Sequence, residues 1–191
     1  MKRQGLPTLA AALAIAAVPA SVAAAAPAWS IDKAHSALGF SAAMNGQAFS
    51  GAFRRWDADI RFDPRRLAAC KVTVSVDMTS AATGNADRDQ ALPADSFFAA
   101  ARFPHATFSA GTCKSLGGGR YLAAGRLTLR GVSKPLTLPF SLSITGARAR
   151  MSATVALNRL AFGVGQDQWQ ATDVIPASVS VRIALTATRT P

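Results

Sequence analysis

The chain has 191 residues, half of them apolar, with 14 Gly, 10 Pro and only 2 Cys. That length suits one domain of ordinary size, the apolar share excludes a disordered chain, and a formal charge of +11 is too basic for a neutral surface. All 10 acidic residues are Asp and the only imidazoles are His35 and His105, so dinuclear metal cages and Glu-paired glycosidase chemistry are poorly supplied.

Lys2 and Arg3 precede an Ala/Leu-rich run from Leu6 to Val18, then Pro19 and small residues from Ala20 to Ala26. This pattern predicts a secretory signal peptide over residues 1–26, cleaved near 23–26. The run is too short and too Ala-dominated for a membrane span, which needs about 20 strongly apolar residues. Residues 27–191 are then expected to form a single exported domain whose charge drops to +9 when Lys2 and Arg3 leave. Between Ser96 and Gln166 there is no acidic residue, whereas Arg102, Lys114, Arg120, Arg126, Arg130, Lys134, Arg148, Arg150 and Arg159 lie there. An exported chain rarely meets nucleic acid, and no aromatics interleave with these cations, so the block points to an anionic membrane face, a phosphorylated ligand or a plain solvated surface.

Downstream, apolar residues recur with period two. Predicted strands cover Leu38 to Met44, Phe49 to Phe62 with a break near Arg54 and Arg55, Cys70 to Met78, Ala106 to Cys113, Tyr121 to Arg130, Leu136 to Ile144, Arg148 to Leu157, and Val174 to Ala187. Asn45-Gly46, Asp63-Pro64, Gly117-Gly118-Gly119, Gly131 and Thr145-Gly146 separate them as turns. Trp29, Ile31 and His35 read as a leading segment packed on a barrel rim. Between Thr83 and Phe103 the alternation stops; Asn85 and Ser96 are candidate N-caps of two short helical turns split by Pro93, with Phe97, Phe98 and Phe103 roofing one end. About eight strands, each with one apolar face, must bury that face against a second sheet or by closing on themselves, and their length without immunoglobulin-type Cys and Trp spacing favours closure. The fold class is therefore all-β: an extended, eight-stranded antiparallel barrel with a short helical segment covering one end.

Cys70 opens one strand and Cys113 closes another, so antiparallel pairing brings the sulfurs together, with Val76 then opposite Thr107 and Met78 opposite His105. An oxidising compartment favours a Cys70–Cys113 disulfide over two free thiols. Asp87-Arg88-Asp89 reads as a salt-bridged loop in which Arg88 ties down the lid, since residues two apart do not converge on a helix. His35, with Asp32 and Ser36, invites a catalytic reading, but no oxyanion loop accompanies it, and a structural role is favoured. His105 is explained by a turn hydrogen bond at a strand start, and Gly163-Val164-Gly165 by a tight loop. No metal-ligand spacing or cofactor motif occurs. Inward residues of modest size, Val72, Val74, Val76, Ala106, Ala110, Ala123, Ala153 and Val155, leave room in a lumen that an eight-stranded barrel can either fill with side chains or give to one small ligand. A lumen packed shut by the ten Phe and one open to a long hydrocarbon both remain consistent with the residues.

Trp29-Ser30-Ile31-Asp32 with His35-Ser36, Gly51-Ala52-Phe53, Phe62-Asp63-Pro64, Asp87-Arg88-Asp89 with Leu92, Asp95-Ser96-Phe97-Phe98, Phe103-Pro104-His105-Ala106-Thr107-Phe108, and the run Gly125 to Leu138 resemble, in joint order and spacing, the YceI-like periplasmic polyisoprenoid-binding proteins. Phe162-Gly163-Val164-Gly165 with Trp169 is similar to the subgroup associated with b-type cytochromes. The resemblance implies a lipocalin-like barrel, a periplasmic address, and a lumen for the tail of a polyprenyl phosphate or an isoprenoid quinone. It supplies no catalytic residue and no cofactor, and Met44-Asn45 stands where members often carry His.

The leading expectation is a periplasmic carrier of an isoprenoid lipid, not an enzyme, with tail contacts from Phe40, Phe53, Val74, Val76, Phe108, Leu127, Leu129, Leu138, Phe140, Leu142 and Phe162, and Trp169 at the rim. Its rivals are an enzyme acting on a small amphiphile through His35 and Asp32, and a docking partner, monomeric or dimeric, of an anionic membrane surface or a membrane b-type cytochrome.

Overall fold

A computed structural model describes residues 25–190; the segment assigned to the signal peptide lies, up to residue 24, outside the described residues. Eleven strand segments form one antiparallel sheet that closes on itself: β1 (Ala28–Ile31), β2 (Ala37–Met44), β3 (Gln47–Phe53), β4 (Trp56–Arg61), β5 (Lys71–Asp77), β6 (Ala81–Ala82), β7 (His105–Gly117), β8 (Arg120–Leu129), β9 (Val132–Thr145), β10 (Arg148–Asn158) and β11 (Ser178–Arg189). Three staves are each broken once. β1 and β2 run in succession along β11, β4 and β3 lie beside them, and β5 and β6 follow beside those. Eight staves therefore make a closed antiparallel barrel, with β1 closing it between β4 and β11 and the short β6 pairing only with β3.

The breaks have local causes. Asp32 caps the 3-10 turn Lys33–His35 by accepting from the His35 amide at 3.3 Å. Asp77 caps the turn Met78–Ser80 in the same way, through the Thr79 amide at 2.8 Å. The Asn45-Gly46 and Arg130-Gly131 loops place both central residues at positive φ, 49° and 76° in the first and 49° and 75° in the second. That is the two-residue turn whose twist matches the flanking strands.

The predicted strands are all present, with two corrections. Trp29 and Ile31 do not lie on a rim; they belong to β1, which bridges β4 and β11 and closes the barrel. The Cys70–Cys113 disulfide forms, with the Cα atoms 5.8 Å apart. The two residues are not direct cross-strand partners, however. β5 pairs with β7 one residue away from the predicted register, Val76 opposite Ala106 and Asp77 opposite His105. This register puts Val72, Val74 and Val76 on the same face as Ala110, Phe108 and Ala106, as burial of both faces requires. Beyond Ala110 a β-bulge at Gly111 adds one residue to β7, and Cys113 returns to the buried face.

One end of the barrel is covered by residues 83–103. Asn85 caps α1 (Ala86–Ala91) by accepting from the Arg88 amide at 3.0 Å. Ser96 is not an N-cap. Its carbonyl instead accepts the Gly165 and Gln166 amides, at 2.9 and 2.8 Å, and stitches this cover to the loop after β10.

Candidate functional site

Because strand side chains alternate between faces, one residue in two on every stave points into the barrel. Those side chains bound a cavity of about 750 Å3. All twelve side chains named from the sequence, from Phe40 and Phe53 through Leu138, Phe140 and Leu142 to Phe162 and Trp169, line it. So do nine of the ten Phe, which wall the lumen and do not fill it. The exception is Phe103, whose ring covers the Arg130-Gly131 turn from outside and would meet a Cβ on Gly131 at 2.6 Å. Ala110 and Ala153 are buried but do not reach the cavity.

The two ends of the lumen differ. At one, Phe62, Tyr121 and Phe140 form a three-ring cluster with centroids 5.2, 5.4 and 5.9 Å apart, and Trp29 donates its indole N–H to the Phe62 carbonyl at 2.9 Å. At the other, Phe53 lies between Phe40 and Phe98, and Phe97 tilts against Trp169 at 5.6 Å. The polar side chains of the lining are Asn85, Asp87, Arg88 and Arg159, three of them on α1 or its cap; Thr107 borders the cavity from an outward-facing position of β7.

Arg88 departs from the expected salt-bridged loop. Among the described residues it forms no ion pair with Asp87 or Asp89, because neighbours on a helix point apart. Asp89 is occupied elsewhere. It accepts the Thr83 amide at 2.7 Å and the Thr83 hydroxyl at 2.6 Å, and that hydroxyl bond is the main cause holding its carboxyl below the ordinary range. The same Thr83 oxygen accepts Arg88 Nε at 3.3 Å, and the guanidinium lies 4.6 Å above the Phe49 ring.

Arg159 is a lining side chain that the sequence reading grouped with the basic block. All three readings of that block need its cations at the surface or on a ligand, yet Arg159 is 5% exposed. It donates to four backbone carbonyls: Pro176 at 3.1 Å, Val164 at 2.9 Å, Ile175 at 2.6 Å and Ala171 at 3.5 Å. No carboxylate pairs with it among the described residues, and burial pulls its pKa below the ordinary arginine value. These bonds fold the loop after β10 over the barrel end, with Gly163 at φ 69° capping the 3-10 turn Arg159–Phe162. Arg130 is half-buried and donates to the Asp95 carbonyl at 2.8 Å. Lys114, Arg120, Arg126, Lys134, Arg148 and Arg150 remain as an exposed, acid-free wall on β7 to β10.

His35 and Asp32 do not line the cavity. The imidazole is exposed and its Nδ1 lies 2.8 Å from Asp32 Oδ2, a bond that is the main cause lowering the Asp32 pKa. Ser36 accepts the Thr186 amide at 3.0 Å and donates to the Thr186 carbonyl at 3.3 Å, so no Ser-His-Asp relay is assembled. His105 opens β7 opposite Asp77, exposed. Trp29, Met78 and Phe98 also line the cavity; the sequence places them in the leading segment, at the end of the Cys70 to Met78 alternation and in the roof, but does not single them out as tail contacts.

A family model described as the YceI-like domain matches residues 29–187. A UPF0312 protein of Yersinia pestis is 36% identical over 141 residues, 71% of this chain and 70% of that protein. One from Vibrio campbellii is 35% identical over 106 residues, 55% of this chain and 56% of that protein. Among solved structures, Burkholderia cenocepacia BcnA superposes with a TM-score of 0.80 at 26% identity, covering 83% of this chain and 99% of that one. The Campylobacter jejuni YCEI protein gives 0.67 at 25%, covering 74% and 85%. A polyisoprenoid binding domain from Saccharophagus degradans gives 0.68 at 16%, covering 86% and 99%, a likeness of fold.

Proposed function

We propose, from the premise that this chain belongs to the YceI-like domain family, that it is a periplasmic carrier whose barrel lumen holds the tail of an isoprenoid lipid. The observation that carries this reading is the cavity itself: about 750 Å3 bounded almost wholly by aliphatic and aromatic side chains, with polar groups gathered on α1 and its cap and at Arg159. Lumens of this volume suit one hydrocarbon-rich ligand, and an apolar space gains dispersion contacts only from an apolar occupant. The name of the Saccharophagus domain agrees with this ligand class. The Cys70–Cys113 disulfide agrees with an oxidising compartment. Tail contacts are assigned to Phe40, Phe53, Val74, Val76, Phe108, Leu127, Leu129, Leu138, Phe140, Leu142 and Phe162, and the rim to Trp169.

Replacing Leu138, 7% exposed and on the lumen wall, by Asp places a carboxylate among apolar groups without a partner. Native mass spectrometry of folded Leu138→Asp mixed with a polyprenol is expected to show no bound lipid. Occupancy equal to the parent protein would contradict the assignment.

A second reading rests on the acid-free wall of β7 to β10, a surface suited to an anionic bilayer. Co-sedimentation with vesicles containing anionic lipid, lost at high salt, is its test; binding indifferent to both lipid charge and salt would remove it.

A further inference from the structure

Resting on the lipid-carrier reading, we propose that the Arg88 guanidinium is the headgroup-recognition group of the lumen, so that the lipid it selects ends in an oxyanion and not in a neutral polar group.

The case begins with what Arg88 does not do. A half-buried guanidinium flanked in sequence by two carboxylates would ordinarily be neutralised by one of them. Here Asp89 is spent on Thr83, and Asp87 is exposed and makes no ion pair among the described residues. Arg88 uses one of its five N–H donors, Nε, on the Thr83 hydroxyl. Its two terminal nitrogens have no acceptor among the described residues, which leaves the edge of the fork that suits two oxygens of a phosphate or carboxylate.

The fork is also held in place before any ligand arrives. The Phe49 ring lies under its face at 4.6 Å, and Thr83, whose hydroxyl oxygen receives Nε, is itself fixed to Asp89 by that hydroxyl and by its backbone amide. Stacking and a clamped acceptor restrict a side chain that otherwise loses much rotamer freedom on binding. Such pre-organisation raises affinity without adding contacts. Asn85, beside it on the lining, is committed to capping α1.

The surroundings favour an anion over a dipole. Arg159 lines the same cavity, buried and without a carboxylate. Two cations against the single exposed Asp87 leave the charged lining positive, in a site walled by apolar groups where charge is weakly screened. The remaining lining offers a neutral headgroup little to bind and the tail everything.

The test uses two ligands with one tail, a polyprenyl phosphate and the polyprenol of equal length, titrated into the intact protein by native mass spectrometry. The phosphate is expected to bind about 10-fold to 100-fold more tightly, the range of a charge-assisted fork. Arg88→Gln should abolish most of that preference, the loss falling on the phosphate far more than on the polyprenol, while Arg88→Lys, a point charge without a fork, should restore it in part. Inorganic phosphate at millimolar concentration should not displace the lipid.

Equal affinity of the parent protein for the two ligands overturns the proposal while leaving the carrier reading intact, and this comparison needs no variant to fold. Equal losses for both ligands in Arg88→Gln also overturn it, by making Arg88 a structural residue. Displacement by inorganic phosphate overturns the link to a lipid. Failure of both lipids to bind overturns the carrier reading itself.

Discussion

The disulfide offers a perturbation whose size follows from chain geometry. Cys70 and Cys113 are 43 residues apart and join the start of β5 to β7 just past its bulge. A cross-link closing a loop of that length lowers the entropy of the unfolded chain by an amount worth about 4 kcal/mol at 25 °C in the loop-closure account. For a domain of this size each kcal/mol corresponds to roughly 2–4 °C, so a Cys70→Ala/Cys113→Ala protein should melt about 8–16 °C lower. Both sulfurs lie outside the cavity lining, and the lumen side chains are untouched. Lipid occupancy at 25 °C should therefore stay as it was while Tm falls. Calorimetry of the parent protein with and without reductant, alongside the double variant, reads the effect directly. Unchanged Tm in all samples, or two alkylatable thiols in unreduced protein, would refute the reasoning.

A Cβ on Gly125 would stand 2.2 Å from the Ser109 carbonyl oxygen and 2.9 Å from the Ala110 Cβ, so Gly125→Ala should destabilise by about 1–3 kcal/mol in denaturant unfolding. Gly111→Ala, in open space, should stay within about 0.5 kcal/mol, and the reverse order would contradict the β7–β8 register. The Thr79 hydroxyl, and after it the Arg55 guanidinium, hold the Asp77 carboxyl at about 2, below its ordinary 3.8. A folded pKa below the unfolded one contributes stability in full above the unfolded value and loses it as pH falls toward about 2. The stability gap between parent and Asp77→Asn should accordingly close between pH 5 and pH 2; a gap independent of pH would count against the ion pair. His35→Ala should leave both folding and lipid occupancy unchanged, since the ring is exposed and off the cavity. Lost occupancy in that variant would revive an active role for His35.

Much of the barrel was legible because period-two alternation is a local property. Val72, Val74 and Val76, or Leu136, Leu138 and Phe140, announce their buried face whatever they pair with. Register is not local. Setting Cys70 directly opposite Cys113 pairs Val76 with Thr107, an inward residue with an outward one; the true pairing needs an extra residue at Gly111, and nothing in a small-residue stretch marks a bulge. The four residues of β1 were too few to show alternation, and their strand character comes from pairing with β4 and β11. For the same reason the wall of the lumen could be named from sequence but its volume could not, since volume depends on how the staves tilt and stagger. Arg159 shows a different limit. Charge argues for exposure, and the four carbonyls that overrule it come from residues 164–176, a loop without periodicity.

The central claim is that this lumen exists to hold an isoprenoid tail, and the most direct measurement is the identity of what fills it. Protein purified from the periplasm of its own host, kept intact for native mass spectrometry and then extracted with organic solvent, should carry one isoprenoid lipid per barrel, released on unfolding and ending in an oxyanion. A barrel consistently recovered without lipid, or filled by an unrelated amphiphile while isoprenoids are present, would contradict the account.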